Sequence, residues 1–374
     1  MRPNVADHHT LAIMNPSIQT SVPAYPWLSR RSFLAGSALA AAAVASGGLL
    51  AGCRGSGAGT ESVTLYSSVD SEVLTPLLAE FTRATGVRVD AVGDTEATKS
   101  AGLTARIIAE AGQPRADIFW SSEALALADL AERGLLAPGG VPPADDWPAT
   151  LLGRGGTWLG MGLRVRQMVF STARVNPSEL PATLEDMADR STFKGRIGIA
   201  RPAFGTTRGH MAWLLMALGP ARFEKWLGGL KANDVRLLDG NAAVVRAVST
   251  GLIDVGLTDS DDVLSGIRQS WPVAGRSLPA SAEIGCLMVP NTIGLIAGRP
   301  ASAGVQILLA WLTSGAAERA LAASEAAAIP VADYQAKHSG GAVALPDRPE
   351  LPDWRQVLLH AGPALSLCDS VLGA

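Results

Sequence analysis

Histidine, cysteine and tyrosine are scarce in this chain: five, three and three of 374 residues. The scarcity excludes chemistry. There is no His-Glu-x-x-His pattern, no Cys/His pair at a useful spacing and no Gly-x-Ser-x-Gly elbow, so the usual hydrolase signatures have nothing to rest on. A formal net charge of -3, with 17% charged residues, leaves no basic surface for nucleic acid. The apolar run from Ala35 to Leu50 is too short and too rich in Ala and Gly to read as a membrane span. What remains is a chain long enough for two domains, with an ordinary globular composition.

The first residues read as an address. Ser29-Arg30-Arg31-Ser32-Phe33-Leu34 is a twin-arginine export pattern, and the apolar run behind it ends in Leu50-Ala51-Gly52-Cys53. This resembles a bacterial lipobox, so residues 1–52 are expected to be a signal peptide, Cys53 the lipidated tether, and residues 53–61 a Gly/Ser linker. Export places Cys286 and Cys368 in an oxidising compartment, where they can pair or stay buried and free.

From Ser62 onward a strand, a polar turn and a helix recur. Val63–Tyr66 is followed by Ser67-Ser68-Val69-Asp70 and then by an apolar stripe through Val73, Leu74, Leu77, Leu78 and Phe81. Ala116–Trp120 is followed by Ser121-Ser122-Glu123 and another helix. Alternation of this kind predicts parallel strands with helical crossovers, a doubly wound α/β sheet whose ligands lie beyond the carboxyl ends of the strands. Ser67, Ser68, Asp70 and Ser122 fall at those ends.

A Pro/Gly-rich break, 138–156, leads to two extended pieces, Trp158–Met161 and Arg164–Ser171, in which Arg164 and Arg166 alternate. They are either edge charge or part of a site. A second α/β unit follows. In it Arg196–Met211 reads as a strand, a broken loop and a helix opened by Thr206 and Thr207, with Arg208 behind. The threonines either cap that helix or share its free N–H groups with an anion. Asn241 sits at a third strand end, and Thr258-Asp259-Ser260-Asp261-Asp262 at a fourth. Carboxylates that close need a cation, a donor array or water. A strand pair is expected over 282–296.

Val63–Asp70 (VTLYSSVD), Ala116–Glu123 (ADIFWSSE), Gly160–Ser171 (GMGLRVRQMVFS) and Val248–Leu257 (VSTGLIDVGL) together resemble the type II periplasmic binding proteins of ABC importers, in the ferric-ion-binding branch. The resemblance implies two doubly wound α/β lobes joined by crossing strands, 62–162 plus 283–325 and 163–282 plus 326–374, with the ligand in the cleft between them and closure by a hinge. It also implies a monomer with no nucleic-acid role, tethered to the membrane through Cys53, that serves a permease in the inner membrane. Ferric-binding relatives carry a tyrosine pair where this sequence has Thr258 to Asp262, and often a His where it has Asp70.

Two ligand classes are open. A ferric or divalent ion with a synergistic anion would use Asp70, Asp259, Asp261 or Asp262 as oxygen ligands, with no cofactor otherwise required. A phosphorylated or otherwise anionic organic solute would use Ser67, Ser68, Asp70, Ser122, Arg164, Thr206, Thr207, Arg208 and Asn241. An exported sensor lipoprotein would use the same cleft. An exported hydrolase has only His210 as a conceivable acid or base, and no nucleophile.

Overall fold

The structure, a computed structural model, describes residues 62–94, 101–141, 147–189, 191–338 and 341–373. The expected signal peptide, Cys53 and the linker lie outside the described residues. Among the described residues no helix is long and apolar enough to cross a membrane. They belong to one compact unit, Ala58–Ala374.

The first part of the chain runs β1 (Ser62–Ser67), α1 (Ser71–Thr85), β2 (Arg88–Gly93), α2 (Ala101–Ala109), β3 (Ile118–Ser121), α3 (Leu125–Glu132). Strand β1 lies between β2 and β3, parallel to both. The stripe on α1 is buried as its spacing requires, and the helix stops at Gly86, whose φ of 76° is the left-handed turn that glycine allows.

Next come β4 (Trp158–Ser171), α4 (Leu184–Asp189), β5 (Ile197–Ala200), α5 (Gly205–Leu218), α6 (Pro220–Ala232), β6 (Arg236–Leu238), α7 (Asn241–Thr250), β7 (Val255–Asp259), α8 (Ser260–Arg268) and β8 (Val273–Ser277). The chain ends with β9 (Cys286–Leu295), α9 (Ala303–Leu312), α10 (Gly315–Ala323), α11 (Val331–Gln335), β10 (Pro349–Glu350) and α12 (Trp354–Leu372). The strand order is β2-β1-β3-β9-β4-β7-β5-β6, with β8 beside β4 and β10 beside β9. This is the expected two-lobe α/β arrangement.

Two long strands join the halves. The first part of β4 pairs antiparallel with β9, and its second part pairs with β7 and β8. The two extended pieces expected over 158–171 are thus one strand, interrupted by a bulge between Met161 and Leu163. Likewise the strand pair expected over 282–296 is the single strand β9. It runs on through Pro290 because that residue, which has no N–H to donate, lies opposite the bulge.

Helix α12 packs against α3, α5 and α6, burying Trp354 and Cys368. Cys286 and Cys368 are both free and buried. Burial pushes their thiols up to about 11 and about 12, respectively, so neither forms thiolate near neutral pH.

Candidate ligand cleft

The carboxyl ends of β1, β3, β5, β6 and β7 face one opening, and three helices start there. Helix α5 begins at Gly205, α7 at Asn241 and α8 at Ser260, and in none of the three does a side chain cap the first turn. Their free N–H groups and the positive ends of their dipoles therefore point at the same space. Thr206 and Thr207 do not cap α5; Phe204 occupies the cap position, and Gly205 takes the left-handed φ of 60° that turns the chain into the helix.

Asp259 stands at the centre, 1% exposed. One of its oxygens accepts from Arg166 Nη1 at 2.9 Å, the other from Thr206 Oγ1 at 2.6 Å and Asn241 Nδ2 at 2.9 Å. Asn241 Oδ1 accepts from Arg166 Nη1 at 3.1 Å and from Thr207 Oγ1 at 3.3 Å. Arg164 is the neighbouring cation. Its Nη1 donates to Asp261 Oδ2 at 2.9 Å and lies 4.0 Å from Asp259 Oδ2, while its Nη2 donates to the Ser122 carbonyl.

Burial alone would lower the Arg164 pKa, but Asp261 and Asp259 more than offset it and hold the guanidinium charged beyond its ordinary range. Burial likewise works against charge on Asp259, yet Arg166 and Arg164 hold its carboxyl below the usual carboxylate range. Four buried polar atoms here lack a partner: Arg164 Nε, Arg166 Nε, Arg166 Nη2 and Asp261 Oδ1.

The cleft encloses about 40 Å³ between Asp70, Ser122, Arg164, Thr206, Thr207, Asn241, Asp259, Asp261 and Asp262, together with Phe204, Gly205 and Gly240. A single water needs roughly 10–15 Å³, so this space takes one small ionic group rather than a large apolar body. A groove of about 440 Å³ shares Asp70, Ser122, Arg164, Asp261 and Asp262 with it and gives a larger ligand room to extend.

Nine of the expected site residues thus line one cleft, and three do not. Ser67 accepts from the Val69 N–H, and Ser68 accepts from the Ser122 N–H at 2.9 Å, so both brace the β1 and β3 ends from behind. Arg208 is half-buried and faces Glu123 electrostatically. Glu123 is buried and spends its carboxylate on the N–H groups of Leu125 and Ala126.

Arg164 and Arg166, open between edge charge and site in the sequence, both belong to the buried cluster around Asp259. Their two-residue offset places both side chains on one face of β4, which is the signal that assigns them to the site. Phe204, Gly240 and Arg201 also line the cleft and carried no signal beyond their position at strand ends.

The aspartates fit a metal ion only in part. One carboxylate oxygen each from Asp259, Asp261 and Asp262 lie within 4.8 Å of one another. Both oxygens of Asp259 are already taken, one oxygen of Asp261 is held by Arg164, and Asp262 accepts from Thr258 Oγ1 at 3.3 Å. A cation bridging Asp259 and Asp261 would have to displace the Arg164 guanidinium.

The sequence profile of the bacterial extracellular solute-binding protein family matches residues 63–324. Iron uptake protein A1 of Synechocystis is 29% identical over 202 residues, covering 54% of this chain and 54% of that protein. The major ferric iron-binding protein of Neisseria meningitidis is 29% identical over 204 residues, covering 53% of this chain and 58% of that protein. The chain thus spans little more than half the length of these curated relatives. In fold, the iron-bound HitA crystal structure from Pseudomonas aeruginosa superposes with a TM-score of 0.70 at 23% identity, over 83% of this chain and 99% of that one.

Proposed function

Because the chain belongs to the bacterial extracellular solute-binding protein family, we propose that it is the substrate-binding component of an ABC importer rather than an enzyme. In this reading it is exported by the twin-arginine route, held at the periplasmic face through a lipidated Cys53, and works as a monomer with an inner-membrane permease. Its lobes are 62–162 plus 283–325 and 163–282 plus 326–374. They close on the ligand about the crossing strands β4 and β9.

The ligand in this reading is a small solute that carries an anionic group. One observation carries it: three uncapped helix starts, α5, α7 and α8, converge on a single cleft beside the buried Arg164. Backbone N–H groups at helix starts favour an anion without any further side chain.

A second reading, a ferric or divalent ion held with a bridging anion, is favoured by the Asp259, Asp261 and Asp262 grouping and by the iron named in the relatives. Elemental analysis of the purified protein, with melting curves against ferric, divalent-metal, phosphate-ester and thiamine panels, separates the two. A ligand at a hundred times its Kd adds about 2.7 kcal/mol, which a melting curve reads easily. An organic phosphate that stabilises the protein without stoichiometric metal supports the first reading. Stoichiometric metal lost on Asp261→Ala supports the second, and neither result leaves the importer assignment without a ligand.

A further inference from the structure

We propose that Arg164 and Arg166 are built-in counter-cations that set the charge of the ligand this cleft accepts: they close to metal ions an aspartate triad that would otherwise hold one. The inference rests on the reading of this cleft as the solute site and deepens it. Three carboxylate oxygens within 4.8 Å of one another would supply part of the oxygen shell that a hard cation takes. The position a cation would take between Asp259 and Asp261 is occupied. Arg164 Nη1 lies 2.9 Å from Asp261 Oδ2 and 4.0 Å from Asp259 Oδ2, and Arg166 Nη1 holds the other oxygen of Asp259 at 2.9 Å.

The two arginines are fixed by the sheet. They alternate on one face of β4, and Arg166 is the register partner of Asp259 on the antiparallel strand β7. Their side chains are 8% and 2% exposed, and moving either into water weakens the compensation of Asp259, which is buried between them. Two positive charges against three negative ones, with the starts of α7 and α8 adding partial positive charge, leave little for a multivalent ion to gain.

What the pair leaves is two hydrogen-bonding atoms without a partner. Asp261 Oδ1 is buried without a partner and so is Arg164 Nε, on the two residues of one ion pair. Neither atom is engaged by the Arg164 Nη1–Asp261 Oδ2 contact, so the pair retains unspent hydrogen-bonding capacity beside the cleft. The ligand class is therefore an organic solute with an anionic group toward the helix starts rather than a metal ion.

Titration of the full chain with Tb³⁺, followed by its directly excited luminescence, tests this without knowledge of the natural ligand. Arg164→Met is expected to bind Tb³⁺ roughly tenfold or more tightly than the wild type, because removing one buried charge a few ångströms from the ion shifts affinity by at least that much. Adding Asp261→Asn in that background is expected to abolish the gain. Should Arg164→Met fail to fold by circular dichroism, Arg164→Gln removes the charge while keeping a polar side chain, and the same gain is required of it.

Wild-type Tb³⁺ binding as tight as the variant's would overturn the proposal and leave the metal reading of the importer standing. A folded variant with no gain would overturn it as well. Failure of the organic-anion reading shows separately, in the melting panels on the wild type, where no phosphate ester or other anion would shift the curve.

Discussion

Removing the carboxylate of Asp259 strands Arg166, whose side chain is 2% exposed, as a buried charge with only hydroxyl and amide neighbours. Asp259→Ala is accordingly expected to destabilise the protein by about 3–5 kcal/mol in urea unfolding, the range for breaking a buried pair from one side. Arg268→Ala, which breaks the open ion pair with Glu325, is expected to cost about 1 kcal/mol or less in the same assay. His210 titrates in a different window. It is buried on α5, stacked on Trp213 with 5.9 Å between ring centroids, and burial followed by the Arg166 charge depresses its pKa well below the ordinary value. The folded state then binds no proton where the unfolded chain does, so stability falls as the pH drops below about 6.5, by up to about 1.4 kcal/mol per pH unit. His210→Gln is expected to flatten the dependence between pH 6.5 and 5.5. Asp259, whose folded pKa is lowered, contributes stability that is fully present above about pH 4 and lost only as the pH falls further. Unfolding free energies at pH 7.5, 5.5 and 3.5 separate the two groups.

At the scale of elements, the cleft depends on how closely α7 sits on the sheet. A Cβ at Gly256 in β7 would meet Val244 Cγ1 of α7 at 2.4 Å and the Gly198 carbonyl of β5 at 2.8 Å. Gly256→Ala is therefore expected to cost about 1–3 kcal/mol and, by pushing α7 outward, to move Asn241 away from Asp259. Melting temperature and ligand-induced shift should fall together. Gly228 in the interior of α6 has nothing within 4 Å of its would-be Cβ. There Gly228→Ala is expected to raise stability by about 0.5–1 kcal/mol with no effect on binding. These elements were legible in the sequence because their signals are local. The stripe of α1 and the hydroxyl-rich strand ends follow from periods of 3.6 and 2 within a few residues. The continuity of β4 and β9 was not legible, since it depends on a register between segments some 130 residues apart. Nor was the division of labour among the aspartates. Asp259 and Asp261 read alike in a five-residue turn, but one is saturated by partners from β4, α5 and α7 and the other keeps a buried oxygen without a partner.

For the molecule as a whole, closure of the cleft would have to bend the two long strands, and β4 carries a bulge between Met161 and Leu163. Gly162 takes a φ of 52° there, its N–H donates to the buried Glu318 at 2.8 Å, and its carbonyl accepts from Asn291 Nδ2 of β9 at 2.8 Å. Past the bulge β4 stays paired with β9 through Val165 and turns to β7 and β8 only from Arg166, so a bend at this point must carry β9 with it. A side chain at Gly162 meets Leu321 Cδ1 at 3.1 Å and must hold a left-handed conformation, at a cost of about 1–2 kcal/mol. If closure bends the strand here, that cost weighs differently on the open and closed states, and the fraction of molecules competent to bind changes before any ligand contact is made. Gly162→Ala should then multiply the Kd of every ligand that stabilises the wild type by one common factor. Asp261→Asn, which alters a contact rather than an equilibrium, should affect those ligands unequally. Calorimetric titration of both variants with at least two ligands decides the matter: unequal effects from Gly162→Ala would place the hinge elsewhere along β4 and β9.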